Sequence, residues 1–161
     1  MGALEVYAVD INPDKLKLAQ GFGAVPINAA AEDPVDKIMD LTGGRGVDVA
    51  VELIGLPQTM QQSVRCLAVF GRTALAGITD KTFDLHAYTE SIGRETEIIG
   101  VSDHLLAEMP LLLAYASRGM LDLSPVVTRT IPLEAQAINA VMDDLEQFKG
   151  QVRTVIVPTA G

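Results

Sequence analysis

Short apolar runs alternate with stretches of helical periodicity along most of the chain. Runs rich in Val, Ile and Ala predict strands at residues 6–9, 47–55, 71–78, 97–101 and 152–157. Apolar positions at helical spacing predict helices at residues 14–20, 34–41, 57–68, 105–118 and 133–148. Strands separated by helices favour right-handed β-α-β crossovers. We therefore predict an α/β fold with a doubly wound, mainly parallel sheet and helices on both faces.

Two prolines affect where strands and helices are predicted. Pro26 makes the extended segment 24–28 an unlikely central strand, because proline cannot donate a backbone hydrogen bond to a neighbouring strand. Pro110 either divides the apolar helix at 105–118 or marks its true start, because a proline inside a helix removes one of its hydrogen bonds.

The composition is that of an ordinary soluble globular domain. The 161 residues suffice for a substantial core, and 48% of them are hydrophobic and 20% charged. No internal repeat, low-complexity tract or linker interrupts the chain, so we expect residues 1–161 to form one domain. Aromatic residues make up only 4% and tryptophan is absent, so the core must be built from aliphatic side chains.

The charge excludes one class of partner. The chain has 21 acidic residues against 12 basic ones, a formal net charge of −9, and the basic residues are scattered singly. Such a surface repels the phosphates of nucleic acid. No uncharged apolar stretch approaches the roughly 18 residues of a membrane span, and the N-terminus lacks the pattern of a signal peptide. We therefore expect a cytoplasmic protein with neither a nucleic-acid nor a membrane partner.

The sequence offers little for a metal site or a catalytic group. One cysteine and two histidines, widely spaced, form neither a disulfide nor a metal cluster. Cys66 falls in a predicted helix beside Leu67, which favours a buried structural thiol over a reactive one. Asp103 beside His104 is better explained as a helix cap, because adjacent side chains in a helix or strand do not face each other. We assign no catalytic residue and no metal ligand.

An acidic residue, Asp10, ends the first predicted strand. It precedes an Asn-Pro turn and a helix, which places it at the edge of a parallel sheet where open α/β folds bind ligands. In dinucleotide-binding domains such an acid accepts hydrogen bonds from the adenosine ribose and repels a 2′-phosphate. The glycine-rich loop for the pyrophosphate should lie about 20 residues upstream, but only nine residues precede Asp10. The glycines at 43–46 follow a helix and precede a strand, the wrong order for a phosphate loop, and are interpreted as a turn.

Seven short motifs follow one another in register along the chain. They are Val9-Asp10-Ile11-Asn12 with Lys15, the turn at 42–48, Glu52-Leu53-Ile54-Gly55, Gly71-Arg72 leading to Gly77, Gly100-Val101, the turn at 119–122 and the strand at 153–158. In this order they resemble the medium-chain, zinc-dependent alcohol dehydrogenase family. The resemblance covers part of the family's nucleotide-binding half, which implies a Rossmann-like fold and NAD as cofactor. Neither the catalytic domain with its zinc ligands nor the first β-α unit with its glycine-rich loop has a counterpart, so the sequence looks like a fragment.

The resemblance implies three groups of cofactor-binding residues. Asp10 would bind the adenosine ribose, with Lys15 against the same ribose and Asn12 in the same motif. Adenine would pack against Leu53, Ile54 and Gly55. The nicotinamide amide would be held by the backbone at Ala76, Gly77, Ile78, Val101 and Ser102. Each group also has an interpretation that needs no cofactor. Asp10 would only cap the next helix and Lys15 would lie on a solvated helix face. Leu53 and Ile54 would be core residues and Gly55 a turn residue, and the third group would be ordinary strand ends.

These features give one principal function and two alternatives. The intact parent would be an oxidoreductase that passes hydride between an alcohol or polyol and NAD with the help of zinc. Since the zinc ligands are absent, we predict that the isolated chain is inactive. The first alternative is a non-catalytic homo-oligomerising module that pairs through edge segments near Phe83, Leu85 and Gly100. The second is a weak binder of adenine nucleotides.

The absent first strand also affects the sheet. In the usual order 3-2-1-4-5-6 it lies at the centre, and we place the gap between the strand that ends at Asp10 and the one that ends at Gly77. Unpaired buried backbone groups are costly. We therefore expect these two strands either to close directly onto each other or to accept a neighbouring chain.

Overall fold

All strand pairs in the computed structural model, which describes residues 2–103, 105–147 and 152–158, are parallel. Helices follow the strands along the chain. The predicted α/β fold with parallel sheets is therefore confirmed. The chain divides into two units, Met1–His104 and Leu105–Gly161; a single domain over residues 1–161 stays a prediction.

The first unit contains five strands and three α-helices among its described residues. In chain order they are β1 (Tyr7–Asp10), α1 (Pro13–Gly21), β2 (Val25–Asn28), α2 (Pro34–Leu41), β3 (Val47–Glu52), α3 (Pro57–Arg65), β4 (Leu67–Leu75) and β5 (Glu97–Gly100). A π-helical turn at Ala87–Ser91 and a 3₁₀ turn at Ile92–Arg94 precede β5. Phe83 and Leu85 lie in neither a helix nor a strand; pairing with another chain through this edge segment stays a prediction.

Side-chain caps fix the starts of α1 and α2. Asn12 and Asp33 each accept hydrogen bonds from two backbone N–H groups of the first helical turn, at distances between 2.8 and 3.4 Å. A proline follows each cap, where its missing N–H removes no helical hydrogen bond. The start of α2 agrees with the prediction, and α1 begins one residue earlier than predicted.

The clearest difference from the predicted elements lies at the end of α3. This helix ends at Arg65 and the next strand begins at Leu67. Leu67 and Ala68, which fall at the end of the predicted helix 57–68, are strand residues that are 0% and 2% exposed. A short apolar run fits a helix face and a buried strand equally well, so periodicity could not separate them.

One apolar cluster holds the two parts of the first unit together. Ile27 of β2, Ile38 of α2 and Cys66 are buried against one another. Tyr7 of β1 and Val47 of β3 pack against this cluster from their separate sheets. The cluster therefore keeps β1 and β3 close although no ladder joins them.

A groove lies between β1 and β3. Among the described residues, β1 pairs only with β2, whereas β3, β4 and β5 form a separate sheet in that order. The groove has a volume of about 940 Å³ and is lined on one side by residues 2–6 and Tyr7 of β1 and on the other by Val47–Val51 of β3. Direct closure of the flanking strands is therefore wrong. The position of the gap is corrected as well: β3 flanks it, because β4 lies between β3 and β5. Occupation by a neighbouring chain stays a prediction.

The second unit contains two strands and two α-helices in the part that the structure describes. A 3₁₀ turn (Leu106–Glu108) leads into α4 (Met109–Ser117); a 3₁₀ turn (Ser124–Val126), β6 (Val127–Pro132), α5 (Ala135–Glu146) and β7 (Arg153–Val157) follow. Strands β6 and β7 pair in parallel. Pro110 lies in the first turn of α4 and so marks its start. The sequence reading missed β6, because polar residues interrupt its apolar pattern.

The connection before α4 differs from expectation. The residue at the cap position of the 3₁₀ turn is Leu105, not Asp103. His104, and Phe148 at the end of the last predicted helix, lie outside the described residues. None of the described helices is long and apolar enough to cross a membrane.

Candidate functional site

The predicted cofactor-binding residues lie at the C-terminal ends of four strands. Asp10 ends β1, and Asn12 and Lys15 lie at the start of α1. The other eight lie in the segments that follow β3, β4 and β5; they are Leu53, Ile54, Gly55, Ala76, Gly77, Ile78, Val101 and Ser102. Open α/β folds bind ligands at this edge of the sheet.

Asp10 is half-buried and keeps one carboxylate oxygen available. Its Oδ1 accepts a hydrogen bond from the Asn12 backbone N–H at 2.8 Å. Asn12, not Asp10, caps α1, so the alternative that Asp10 only caps this helix is wrong. Oδ2 accepts no hydrogen bond from any residue that the structure describes, which leaves an acceptor for a ligand hydroxyl group. Lys15 is exposed.

A buried glutamate, Glu52, holds the turn after β3. Its side chain is 4% exposed, and Oε1 accepts hydrogen bonds from two backbone N–H groups of the turn at 2.9 Å and from the Thr59 hydroxyl at 2.7 Å. Its backbone carbonyl accepts from the N–H groups of Ala76 at 2.9 Å and Gly77 at 3.1 Å. This one residue therefore connects the turn after β3 with α3 and with the turn after β4.

The turns after β3 and β4 pack backbone against backbone. A Cβ atom at Gly77 would lie 2.1 Å from the Gly55 nitrogen and 2.6 Å from Glu52 Oε2. Gly55 has a φ of +83°, and a Cβ atom there would lie 2.5 Å from the Ile78 carbonyl oxygen. Only glycine permits this approach. Both glycines are therefore needed for the packing of one turn against the other within this chain.

A small, mostly apolar cavity of about 130 Å³ lies beside these turns. It is lined by Val9, which precedes Asp10, by Leu53 and Ile54, and by side chains of α2 and α3. Leu53 and Ile54 are 69% and 55% exposed, so the alternative that they are core residues is wrong. An apolar cavity of about 150 Å³ accommodates a benzene ring. The cavity therefore has the size and character for one flat ring.

The strand ends farther along the edge are ordinary in geometry. The Val101 N–H donates to the Leu75 carbonyl at 2.9 Å and so continues the β4–β5 ladder. Ile78 is 98% exposed and Ser102 is exposed. These residues offer accessible surface, but the Val101 N–H is already engaged within the sheet.

The described residues fit the adenosine half of NAD and not its pyrophosphate. Asp10 offers the acceptor for a ribose and the cavity offers an apolar wall for a base. A pyrophosphate needs unpaired backbone N–H groups at a helix N-terminus. Asn12 and Asp33 cap α1 and α2, and the Glu52 carboxylate lies in the turn that leads into α3. The glycines at 43–46 form a turn between α2 and β3, as predicted.

Neither a metal nor a thiol nucleophile is assembled in this part of the chain. No three His, Cys, Asp or Glu side chains among the described residues come together as metal ligands, so these residues do not fit a zinc ion. Cys66 is 5% exposed, and burial raises the pKa of its thiol to about 11. The thiol is therefore neutral near pH 7, as a structural cysteine should be.

Comparison with known proteins agrees with the motifs and the fold. The zinc-binding dehydrogenase family matches residues 1–114. The (R,R)-butanediol dehydrogenase of Bacillus subtilis (strain 168) is 30% identical over 98% of this chain and 44% of its own length. An NAD-dependent alcohol dehydrogenase of Sulfurisphaera tokodaii is 30% identical over 95% of this chain and 43% of its own length. The crystal structure of 2R,3R-butanediol dehydrogenase from Bacillus subtilis superposes with a TM-score of 0.85 at 27% identity, over 98% of this chain and 45% of that one.

The chain belongs to the medium-chain, zinc-dependent alcohol dehydrogenase family. The match covers the C-terminal, nucleotide-binding domain of the family, and the Rossmann-like fold is confirmed. The chain spans less than half the length of the curated relatives it matches.

Sequence reasoning missed Glu52 as an organising residue. It stood within a family motif, but no role was assigned to it. A signal was present, since a carboxylate interrupts the apolar run Val-Ala-Val-Glu-Leu-Ile-Gly. A charged residue inside a strand that is otherwise apolar needs buried partners, and the glycine and threonine that follow could have indicated them.

Proposed function

We propose that this chain is the cofactor-binding part of an NAD-preferring, zinc-dependent dehydrogenase that acts on an alcohol or polyol. Family membership and relatives named butanediol dehydrogenase and NAD-dependent alcohol dehydrogenase support the proposal. The observation that carries it is the available Asp10 oxygen at the ligand-binding edge, where an apolar cavity is lined by the preceding residue Val9 and by Leu53 and Ile54. A carboxylate accepts the ribose hydroxyls of NAD and repels the 2′-phosphate of NADP.

Each group of residues has its own task in this proposal. Asp10 accepts a hydrogen bond from the ribose, and the Asn12 N–H holds its carboxylate in place. The exposed side chains of Leu53 and Ile54 pack on adenine, and Glu52 fixes the turn that carries them. The backbone from Ala76 to Ile78 and at Val101 and Ser102 lies toward the nicotinamide amide in the whole enzyme, where bound NAD supplies the hydride chemistry.

The described residues supply only half of a cofactor site. Because they offer no free N–H groups at a helix N-terminus for the pyrophosphate, we expect a dissociation constant for NAD in the millimolar range, a binding free energy of about −4 kcal/mol. We expect no turnover of alcohols, because the described residues do not assemble a zinc site. Turnover by the purified chain that depends on zinc or NAD would contradict this expectation.

Amide chemical shifts measured by NMR during titration test the ribose role. AMP should shift the resonances of Asp10, Leu53 and Ile54, and AMP with a 2′-phosphate should bind more weakly. Asp10→Asn should weaken AMP binding about tenfold, the lower range for a hydrogen bond to a charged group, and should reduce the preference over the 2′-phosphate. Asp14→Asn, an exposed acid on α1, is the matched control. Equal AMP affinity in both variants would refute the role of Asp10.

A second candidate, a homo-oligomer that pairs through edge strands, rests on β5. This strand lies at the outer edge of its sheet, and Ile98 and Ile99 are 36% and 41% exposed. Exposed edges of this kind are templates for pairing with another chain. Light scattering after size exclusion should show a dimer that Ile98→Lys converts to a monomer, whereas a monomer of the unmodified chain at high micromolar concentration would count against the candidate.

A further inference from the structure

Helix α3 presents one of its faces to the small apolar cavity beside the turn after β3. Thr59, Gln62 and Ser63 of this helix, and Cys66 directly after its end, line the cavity. They follow one another at positions i, i+3, i+4 and i+7, which lie on the same side of a helix. This face therefore decides which polar side chains a molecule in the cavity meets.

Most polar side chains around the cavity are already engaged within the chain or are out of reach. The Thr59 hydroxyl donates to Glu52 Oε1 at 2.7 Å. The Ser63 hydroxyl and the Cys66 thiol donate to backbone carbonyl groups of α3, at 2.8 and 3.5 Å. Glu52 Oε2 accepts no hydrogen bond from the described residues, but the atom is buried, so a molecule in the cavity does not reach it.

The side-chain amide of Gln62 differs from these groups. The residue is half-buried, and its amide forms no hydrogen bond with the part of the chain that the structure describes. The neighbouring Gln61 lies on another side of the helix, where its Nε2 donates to the Asp84 carbonyl at 3.1 Å. A primary amide has two N–H donors and an acceptor oxygen. Gln62 therefore brings an unused donor and an unused acceptor to the wall of an apolar cavity.

We propose that Gln62 selects adenine by hydrogen bonding to the edge of the base that carries the 6-amino group. This inference rests on the proposed role of the cavity as the adenine site. Adenine presents the N6 amino donor beside the N7 acceptor, and glutamine amides pair with both atoms at once when proteins read DNA. Leu53 and Ile54 contact only the flat face of the ring, and apolar contact of that kind does not distinguish one purine from another. Gln62 is thus the specificity-determining residue for the base.

Removal of the 6-amino group from the nucleotide tests the proposal. Purine riboside 5′-monophosphate has the ribose, the phosphate and the ring system of AMP but carries a hydrogen at position 6. In NMR titrations of the full chain we expect AMP to bind about fivefold more tightly than this analogue, which is the effect of one neutral hydrogen bond.

Two glutamine variants assign that preference to one side chain. Gln62→Met keeps the approximate length of the side chain and removes the amide, so its affinities for the two nucleotides should agree within about twofold. Gln61→Met is the matched control, because its amide is directed to Asp84 instead, and it should retain the preference of about fivefold. Loss of the preference in both variants, or in Gln61→Met alone, would overturn the proposal.

The side-chain NH₂ resonances of Gln62 provide a direct readout that does not depend on a variant. Assigned through bonds to the Gln62 backbone, they should shift with AMP and shift less with the analogue that lacks the amino group. The NH₂ resonances of Gln61 should respond to neither. Nicotinamide mononucleotide, the other half of NAD, should leave both glutamines unchanged; a shift at Gln62 as large as that with AMP would overturn the assignment to adenine.

The outcomes separate this inference from the proposed function. If AMP shifts the resonances of Asp10, Leu53 and Ile54 but Gln62→Met keeps the preference for AMP, the cavity binds adenine without reading its edge. The inference is then refuted while the proposed function stands. If AMP shifts none of these resonances, both fail. If Gln62→Met does not fold, the response of the Gln62 resonances to the two nucleotides decides.

Discussion

Replacement of Gly77 by alanine tests how rigidly the turns after β3 and β4 are joined. The new Cβ atom would lie 2.1 Å from the Gly55 nitrogen and 2.6 Å from Glu52 Oε2. Neither neighbour can yield easily, because the Gly55 N–H and the Glu52 carboxylate are bonded to each other at 2.9 Å. Overpacking costs about 1–3 kcal/mol, and we expect the upper value here. For a chain of this size, a loss of about 3 kcal/mol lowers the melting temperature by roughly 6–12 °C.

Urea unfolding followed by circular dichroism measures this loss. Gly100→Ala is the matched control, because Gly100 also lies at a strand end but its Cβ would meet no atom within 4 Å. Its free energy of unfolding should stay within about 0.5 kcal/mol of the unmodified chain. If Gly77→Ala is equally neutral, the close packing of the two turns is not a constraint in solution and the reasoning fails.

Three further predictions follow from other contacts. Thr59→Val removes the hydroxyl that donates to Glu52 at 2.7 Å and should cost about 1–2 kcal/mol in urea unfolding; a change below 0.3 kcal/mol would contradict that contact. Asp33→Ala removes the cap of α2 and should cost about 1 kcal/mol, whereas Asp36→Ala, beyond the cap, should cost less. The Cys66 pKa is raised from 9.0 to about 11 in the folded chain, so its contribution to stability is complete below pH 9. That contribution should fall by about 2–3 kcal/mol as the pH rises to 11, and Cys66→Ala should lack this extra loss.

Local patterns were sufficient for most elements of the fold. The cap and proline at 33–34 define α2, and the apolar runs around Val49 and Ile98 define two of the strands. They failed where one pattern fits two structures, as at Leu67, and where polar residues interrupt a strand, as in β6. Periodicity reports the environment of a side chain, and that environment does not always determine the conformation of the backbone.

The candidate site also contains one residue that the sequence could predict and one that it could not. Asp10 could be found from sequence because its role depends on its place at the end of a strand. Glu52 could not, since its role depends on donors from the turn, from Thr59 and from β4 that meet only in the folded chain. The sequence shows that these residues are present, but it does not show which of them lie within hydrogen-bond distance in the folded chain.

The sequence by itself determined the family, the parallel α/β fold and the acid at the end of β1, because each follows from short motifs and from their order along the chain. Only the tertiary structure decided how the sheet is interrupted. It placed the groove between β1 and β3 rather than beside the strand that ends near Gly77. The order of strands in a sheet depends on contacts between segments far apart in sequence, and the shared apolar cluster around Ile38 sets those contacts here.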